Sequence, residues 1–236
     1  MQKSKNKNCL VLGATGSIGS ALVDGLHRQG FTVWRVARSL ATDIDEYLLN
    51  LNDFLQDCEG VCGRLPEFSS VVFSQGANLN DDITNFDKEI HKAIYDANVL
   101  VILDTVSLLV SRGLLANPAS ICIVSSIWQD MSRNNKLSYS ISKSALKGLV
   151  LSLVADLSKK GIRVNAVLPG PIDTPMTRSN LTHAQIAQFE SESPSGTLPK
   201  LSSVVNVVVW LASPLSDGIT GNFIRADSGA SLVRMY

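Results

Sequence analysis

The chain has 236 residues, and its 21 Lys and Arg balance 21 Asp and Glu, so the formal net charge is zero. Such a chain is long enough for one α/β domain with a large core or for two small domains. The positive charges are scattered along it, which excludes the basic stripe of a nucleic-acid-binding protein, and we expect no nucleic-acid partner.

No segment predicts export or membrane insertion. The basic opening MQKSKNKN leads into the apolar run CLVLG, which is too short for the apolar region of a signal peptide. The longest apolar window, 99–110, is interrupted by Asp104 and falls below the roughly 20 residues that span a bilayer. The four cysteines match neither a zinc spacing nor a disulfide framework. We therefore expect a cytoplasmic protein with reduced thiols, no metal and no membrane partner.

Short runs rich in β-branched residues alternate with longer segments of helical period. In chain order, the strand-like runs are CLVLG, FTVWRVA, SSVVFS, ASICIVSS, GIRVNAVLPG and GNFIRADSG. Alternation of this kind predicts βαβ units that form a parallel sheet with helices on both faces. Neither an internal repeat nor a low-complexity linker divides the chain.

A glycine-rich turn follows the first predicted strand. In GATGSIGSAL, glycines recur at positions 13, 16 and 19 and lead directly into a predicted helix. Glycine permits positive φ and lets a pyrophosphate approach the backbone, where the start of a helix offers N–H donors and partial positive charge. The turn therefore predicts a dinucleotide site; a tight turn without a ligand is the alternative.

The end of the second predicted strand, VWRVARS, bears on the choice of cofactor. A site selective for NAD carries an acidic side chain at this strand tip, where it binds the ribose 2′-hydroxyl. Here Ala37 and Arg38 stand instead. A guanidinium suits a 2′-phosphate because it offers planar, charge-assisted donors. The strand end thus predicts NADP rather than NAD, and an ordinary solvated charge is the alternative.

Tyr139 and Lys143 lie four residues apart in SYSISKSALKGLV, at the start of a predicted helix. Residues i and i+4 share one face of a helix, so we expect the Lys143 ammonium near the Tyr139 oxygen. A phenol with a pKa of about 10 is a poor base at neutral pH, and a neighbouring cation lowers that pKa. Ser126, at the end of the run ICIVSS, can hydrogen-bond a substrate oxygen. The alternative is a half-buried aromatic residue, a solvated charge and a strand-end hydroxyl with no common role.

The segment between the strand ending near Leu168 and the helix near Val204 differs in composition. Its sequence, PGPIDTPMTRSNLTHAQIAQFESESPSGTLPKL, is rich in Pro, Ser and Thr. In a doubly wound sheet such a segment leaves the carboxyl end of a strand, where ligands bind. We therefore predict a substrate lid at residues 174–200; a surface loop without a role is the alternative.

Four motifs, GATGSIG, IVSS, YSISK and VNAVLPGPIDTP, occur in this order along the chain. Together they resemble the short-chain dehydrogenase/reductase family in its compact single-domain branch, and the resemblance covers nearly the whole chain. It implies a Rossmann-like, doubly wound, seven-stranded parallel sheet in a single domain over residues 1–236. It also implies an enzyme that interconverts a carbonyl and an alcohol by hydride transfer with a nicotinamide cofactor, and a homotetramer or homodimer.

The resemblance implies roles for the residues at matching positions. Tyr139 would transfer the proton, Ser126 would bind the substrate oxygen, and Lys143 would also hold the nicotinamide ribose. Asn98, in IYDANVLVI, matches a helix asparagine that anchors a water on a proton path to the lysine; a local helix kink is the alternative. The residues expected to contact the cofactor are Gly13, Thr15, Gly16, Ser17, Ile18, Gly19, Arg38, Asn50, Leu51, Gln75, Gly76, Tyr139, Lys143, Pro169, Gly170, Ile172 and Thr174.

Four places depart from the family pattern. Ser17 stands at the second motif glycine, with Gly16 just before it, as in the larger epimerase-type relatives. The family's Asn-Asn-Ala-Gly is replaced by SQGA at 74–77, and Asn50 matches the acidic residue after the third strand. Ser228 stands where a glycine is common. These changes put the strength of cofactor binding in doubt, although none removes a catalytic group.

Two predicted helices carry more apolar residues than one sheet-facing stripe requires. The helix predicted from about 93 to 115 reads ANVLVILDTVSLLVSRGLL, and the helix that holds Tyr139 continues ALKGLVLSLVADL. An apolar outer face predicts contact with another subunit, and the family pairing suggests the same. We expect a homo-oligomer, a tetramer in preference to a dimer.

Among functions, the sequence favours an NADP-dependent oxidoreductase that interconverts a carbonyl and a secondary alcohol of a small molecule. One alternative is a dinucleotide-binding regulatory module with little turnover, which the changes at Ser17 and SQGA favour. Another is a nucleotide-sugar epimerase or dehydratase, which the glycine spacing favours and the chain length opposes.

Overall fold

The computed structural model describes residues 7–38, 47–56, 60 and 62–233. Its seven strands form one sheet in the order β3-β2-β1-β4-β5-β6-β7, and every neighbouring pair is parallel. The strands are β1 Asn8–Leu12, β2 Thr32–Ala37, β3 Leu48–Asn50, β4 Phe68–Phe73, β5 Leu115–Val124, β6 Ile162–Pro169 and β7 Phe223–Ala226. The predicted doubly wound, seven-stranded parallel sheet is confirmed.

Helices cover both faces of the sheet, as continuous burial of its central strands requires. They are α1 Ser17–Arg28, α2 Leu51–Gln56, α3 Lys88–Tyr95, α4 Val101–Ser111, α5 Leu137–Leu157, α6 Pro175–Asn180, α7 His183–Glu192 and α8 Leu201–Ala212. One apolar cluster joins the sheet to α1 and α8, and a second joins its other face to α2, α4 and α5. The strand order reverses between β1 and β4, which is where a ligand binds in folds of this kind.

Cys9 and Cys122 are buried in the first of these clusters as free thiols. Burial, partly opposed by a hydrogen bond with Ser70, raises the pKa of Cys9 to about 12. A thiol in this state reacts poorly, which agrees with the sequence-based view of buried, reduced cysteines. Cys58 and the side chain of Cys62 lie outside the described part of the chain.

The sequence predicted a helix from about 93 to 115, and both predicted ends were wrong, because the helical segment runs from Lys88 to Ser111. α3, a π-helical turn at Asp96–Leu100, and α4 follow one another without a break. The helix ends at Ser111 because Gly113 turns the chain with φ +65, and Leu115 already begins β5.

By length and composition alone, the 24-residue helix Lys88–Ser111 could cross a membrane, and 39% of its most apolar window is buried in the fold. Core helices of water-soluble proteins have the same character. Here Val99, Ile102, Val106 and Leu109 pack into the cluster against the sheet.

Candidate active site

A cleft opens beside the carboxyl ends of β1, β2 and β4, at the reversal of strand order. Ten of the residues predicted to contact a cofactor line this cleft: Gly13, Thr15, Gly16, Ser17, Ile18, Arg38, Leu51, Gln75, Gly76 and Thr174. The fold therefore brings together residues from five separate segments of the sequence. This is the arrangement of a dinucleotide-binding crevice.

Two of the three motif glycines are required by close backbone contacts. Gly13 has φ +74, and a Cβ there would lie 2.5 Å from the backbone nitrogen of Gln75. A Cβ at Gly19 would lie 2.1 Å from the carbonyl oxygen of Gly13. At Gly16 the nearest atom would be the Gly13 oxygen at 3.5 Å, an ordinary contact. Gly13 and Gly19 thus allow α1 to pack against the turn, whereas Gly16 leaves space.

The start of α1 is free to bind an anion. Gly16 is its N-cap residue and offers no side chain, and the first turn carries no acidic residue. The first backbone N–H groups of a helix have no partner inside the helix, and the helix dipole adds partial positive charge. These groups lie at the cleft that Gly16, Ser17 and Ile18 line, and they can hold a phosphate there.

The SQGA segment supplies an unsatisfied amide to the same cleft. Both polar atoms of the Gln75 side chain are buried, and neither has a hydrogen-bond partner within the described residues. Such groups normally find a partner, so Gln75 fits a polar ligand in the cleft that it lines. Ser74 instead braces the sheet, because its hydroxyl donates to the carbonyl oxygen of Leu12 at 2.6 Å. The departure from the family pattern therefore keeps a bond between β1 and the end of β4.

Arg38 and Asn50 lie at the tips of β2 and β3. Arg38 is exposed and lines the cleft, next to the buried Ala37. The amide of Asn50 is used locally: it donates to the carbonyl oxygen of Arg38 at 3.2 Å and accepts from the backbone nitrogen of Asn52 at 2.9 Å. The cleft lining includes Leu51 and leaves Asn50 out. A contact between Asn50 and the cofactor stays a prediction.

A second cleft adjoins the first, and Ile18 and Thr174 line both. Ser126, at the end of β5, and Tyr139, on the first turn of α5, lie in its wall. Burial raises the pKa of Tyr139 to about 12, and the neighbouring Ser126 hydroxyl opposes this shift. Without further positive charge, Tyr139 is therefore a protonated phenol at neutral pH.

Lys143 is buried beneath Tyr139 on the same helix. Its Nζ donates to the carbonyl oxygen of Val124 at 3.3 Å and lies 5.7 Å from the centre of the Tyr139 ring. Burial lowers the pKa of the ammonium to about 8. The predicted neighbourhood of the two side chains is thus present, with the cation over the ring. The predicted approach of this cation to the Tyr139 oxygen stays a prediction.

Asn98 lies in the π-helical turn Asp96–Leu100, so the predicted helix irregularity is present. The predicted water on a proton path to the lysine stays a prediction. Its Oδ1 accepts from the backbone nitrogen of Ala77 at 2.7 Å, and its Nδ2 donates to Ala77 O at 3.0 Å and to Ser142 Oγ at 2.8 Å. A Cβ added at Gly76 would lie 3.2 Å from Asn98 Oδ1 and 3.6 Å from Lys143 Nζ. Asn98 therefore fastens SQGA to α5 beside the lysine.

The end of β6 forms another side of the second cleft. Pro169, Gly170, Ile172 and Thr174 line it, as predicted residues around a nicotinamide would. Thr174 also begins α6, because its Oγ1 accepts from the backbone nitrogen of Thr177 at 3.3 Å. A Cβ at Gly170 would lie 3.0 Å from Cβ of Asp227, so a glycine lets this turn pack on the chain after β7.

The predicted lid, 174–200, contains helices α6 and α7 as well as loop. From this segment Thr174, Thr177, Leu181 and Phe189 line the second cleft. The ring of Phe189 meets that of Trp128, edge to face, with 6.4 Å between centres. The segment thus forms part of the wall of the cleft, and its role as a moving lid stays a prediction.

Sequence reasoning missed two cations in the second cleft, Lys136 and Arg133. Lys136 precedes α5 and is buried, with Nζ 5.5 Å from the centre of the Tyr139 ring. A charge just before a helix usually faces solvent, so the sequence contained no sign of its burial. The only available signal was the spacing, since Lys136 stands three residues before Tyr139.

Comparison with known proteins agrees with this geometry. Residues 58–231 match a family model described as enoyl-(acyl carrier protein) reductase. The chain is 27% identical to a 3-oxoacyl-[acyl-carrier-protein] reductase of Thermotoga maritima, over 95% of this chain and 98% of the relative. It is 30% identical to L-xylulose reductase of Bos taurus, over 94% and 96%.

Among solved structures, a short-chain dehydrogenase family protein from Francisella tularensis superposes with a TM-score of 0.85 at 25% identity. The match covers 97% of this chain and 100% of that protein. The chain therefore belongs to the short-chain dehydrogenase/reductase family and is an NAD(P)-dependent oxidoreductase of carbonyl and alcohol groups, as its motifs predict.

Proposed function

We propose that the protein is an NADP-dependent oxidoreductase that interconverts a carbonyl and a secondary alcohol at a Ser126, Tyr139 and Lys143 site. One observation carries this proposal: Ser126 and Tyr139 line a cleft that adjoins the dinucleotide crevice, and the Lys143 ammonium lies beside the tyrosine ring. A substrate oxygen that contacts both hydroxyls would lie next to the position of a nicotinamide ring.

The residues at the first cleft suit a nicotinamide dinucleotide, which would accept or supply the hydride when bound. The start of α1 would hold the pyrophosphate, and the unsatisfied amide of Gln75 would bind a polar group of the cofactor. Lys143 would hold the nicotinamide ribose. Arg38 would bind a 2′-phosphate, because it is exposed at the cleft and Ala37 beside it brings no repelling carboxylate.

Tyr139 transfers the proton that accompanies the hydride at the substrate oxygen. Its pKa in the empty site, about 12, suits donation to a forming alkoxide during carbonyl reduction. For alcohol oxidation the phenolate must form, and the Lys143 ammonium beside the ring favours it. Ser126 donates a hydrogen bond to the substrate oxygen and stabilises the charge that develops there. Asn98 holds the SQGA segment against α5 through its hydrogen bonds to Ala77 and Ser142. We also assign Asn98 the predicted link between Lys143 and a proton path.

We also propose that the segment 174–200 acts as the substrate lid, that the protein is cytoplasmic, and that it forms a tetramer. Exposed apolar side chains on the helices that the sequence singled out support the last point: Leu100 and Leu103 near and on α4, and Ile141 and Leu151 on α5. A second copy that covers these side chains would remove them from water.

A panel of ketones, oxo acids and sugars tests the function through the loss of NADPH absorbance. We expect turnover with at least one carbonyl and a slower rate with NADH. If no member of a chemically broad panel, including thioesters of 3-oxo acids, oxidises either reduced cofactor, the proposal fails.

A further inference from the structure

The charged side chains that line the second cleft are all positive. Within the described part of the chain, its charged lining residues are Lys136 and Arg133, and no carboxylate joins them. The rest of the lining is apolar or neutral, with Trp128 and Phe189 among its larger side chains. Two cations that meet at a partly buried cleft repel each other unless an anion lies between them.

Lys136 is held in place by neutral partners. Its Nζ donates to Asn78 Oδ1 at 2.7 Å and to the carbonyl oxygen of Leu79 at 3.3 Å. Neither partner balances the charge of the ammonium, which is buried in the wall of the cleft. An ammonium has three donors, so one remains for a ligand.

Asp81, the carboxylate whose charge acts on Lys136, is already bound by other groups. Asp81 accepts from the backbone nitrogen of Ser138 at 3.0 Å and from the Ser138 hydroxyl. Burial and the charge of Arg133 lower the pKa of Lys136 to about 8, and Asp81 offsets only part of this shift. The ammonium thus stays largely protonated at neutral pH without a direct ion pair.

Arg133 brings the second cation to the same cleft. Its guanidinium carbon lies 5.8 Å from the centre of the Trp128 ring, and its Nη1 donates to the carbonyl oxygen of Asn134 at 3.2 Å. Its Nε is buried and has no partner among the described residues. A buried, unpartnered donor on a guanidinium fits a ligand oxygen.

We propose that the substrate carries an oxyanion, a carboxylate or a phosphate, which Lys136 and Arg133 bind while its carbonyl group contacts Tyr139. This inference rests on the proposed function and adds the chemical class of its substrate. The Lys136 ammonium lies 5.5 Å from the centre of the Tyr139 ring, so one short molecule can reach both groups. Lys136 and Arg133 are then specificity-determining residues.

Binding without turnover tests the inference separately from the reaction. Wild-type protein saturated with oxidised NADP cannot reduce a ketone, so calorimetry reports affinity alone. The probes are matched pairs: acetoacetate and 4-oxopentanoate against their methyl esters, and hydroxyacetone phosphate against hydroxyacetone. We expect at least one anion to bind about tenfold or more tightly than its neutral partner. The pair with the larger ratio of affinities shows whether the subsite prefers a carboxylate or a phosphate.

Variants assign this preference to Lys136. Lys136→Gln removes the charge but retains a donor for Asn78 and Leu79, and we expect it to abolish the preference for the anion. Lys159→Gln, at an exposed lysine, should leave the preference unchanged. Unchanged unfolding temperature and cofactor affinity would show that Lys136→Gln is folded, and Arg133→Gln serves as a second variant.

Three results would overturn the inference: equal affinities within every pair, no binding by any of the anions, or an anion preference that persists in both Lys136→Gln and Arg133→Gln. Binding of anions without turnover of any carbonyl would instead retain the subsite and reject the proposed reaction.

Discussion

The ammonium nitrogen of Lys143 lies 5.7 Å from the centre of the Tyr139 ring, one helical turn along α5. The lysine is buried, its pKa is lowered to about 8, and the tyrosine's pKa is raised to about 12. Burial thus disfavours the charged form of each side chain in the empty protein. An ammonium and a phenolate would stabilise each other. A charged ligand in either cleft would therefore change the protonation states of both side chains.

This burial predicts a pH dependence of stability. The Lys143 pKa is about 8 when folded and 10.5 at its ordinary value. Between these pH values the folded state has released a proton that the unfolded state retains, so stability rises with pH; below pH 8 the burial penalty is fully present. Relative to Lys143→Met, we expect the wild-type free energy of unfolding to increase by about 2 to 3 kcal/mol across this window.

Urea unfolding of both proteins without cofactor, at several pH values from 7 to 10.5, measures this difference. Titration of the buried thiols Cys9 and Cys122 affects both proteins equally and cancels in the comparison. A difference that stays constant with pH would show that Lys143 is not desolvated.

The glycine turn offers a matched pair of substitutions. A methyl group at position 19 would meet the Gly13 carbonyl oxygen at 2.1 Å, whereas one at position 16 would lie 3.5 Å from it. We expect Gly19→Ala to lower the free energy of unfolding by about 1 to 3 kcal/mol and to weaken cofactor binding, because the backbone must shift. Gly16→Ala should fold with nearly wild-type stability. Equal losses in the two variants, measured by denaturant unfolding, would contradict the contact at Gly13.

The cofactor preference depends on Arg38. A partly exposed charge-assisted contact with a 2′-phosphate contributes roughly 1.5 to 3 kcal/mol, so NADPH should bind about one to two orders of magnitude more tightly than NADH. Arg38→Ala should remove most of this ratio, and Arg112→Ala, an exposed arginine at the end of α4, should not change it. Fluorescence titration with each reduced cofactor measures it. Tighter binding of NADH by the wild type would reverse the cofactor assignment.

The exposed apolar residues predict the subunit contact. Leu103 on α4 is 42% exposed and Leu151 on α5 is 50% exposed. We expect sedimentation to give about four times the 25.4 kDa chain mass, and Leu103→Glu and Leu151→Glu to give smaller species. Ile83→Glu, at a residue that is 77% exposed on a loop, is the control. A stable wild-type monomer at micromolar concentration would refute the prediction.

Local sequence patterns predicted the sheet and most of the site. Strand periodicity, the glycine turn and the order of the four motifs were sufficient for the fold class, for Ser126 and Tyr139 in one cleft, and for Lys143 beside the tyrosine ring. These features depend on residues close in sequence or on a known motif order. The φ of +57 at Ser228 also explains why a glycine is common there.

Other features depend on contacts between distant segments, which no local pattern reports. The π-helical turn lets Asn98 reach Ala77, and the burial of Lys136 depends on Asn78 and Leu79 in a separate loop. The end of the long helix at Ser111 was missed because its apolar run continues into β5. Apolar content alone does not separate a helix from the strand that follows it.

The most direct test of the account is the turnover of Tyr139→Phe, measured beside the wild type with its best carbonyl substrate and NADPH. The substitution removes the phenolic hydroxyl and leaves the ring beside Lys143. We predict a loss of at least about a hundredfold in kcat, with cofactor affinity and unfolding temperature nearly unchanged, because only proton transfer is removed. A Tyr139→Phe protein that reduces the substrate at the wild-type rate would contradict the proposed mechanism.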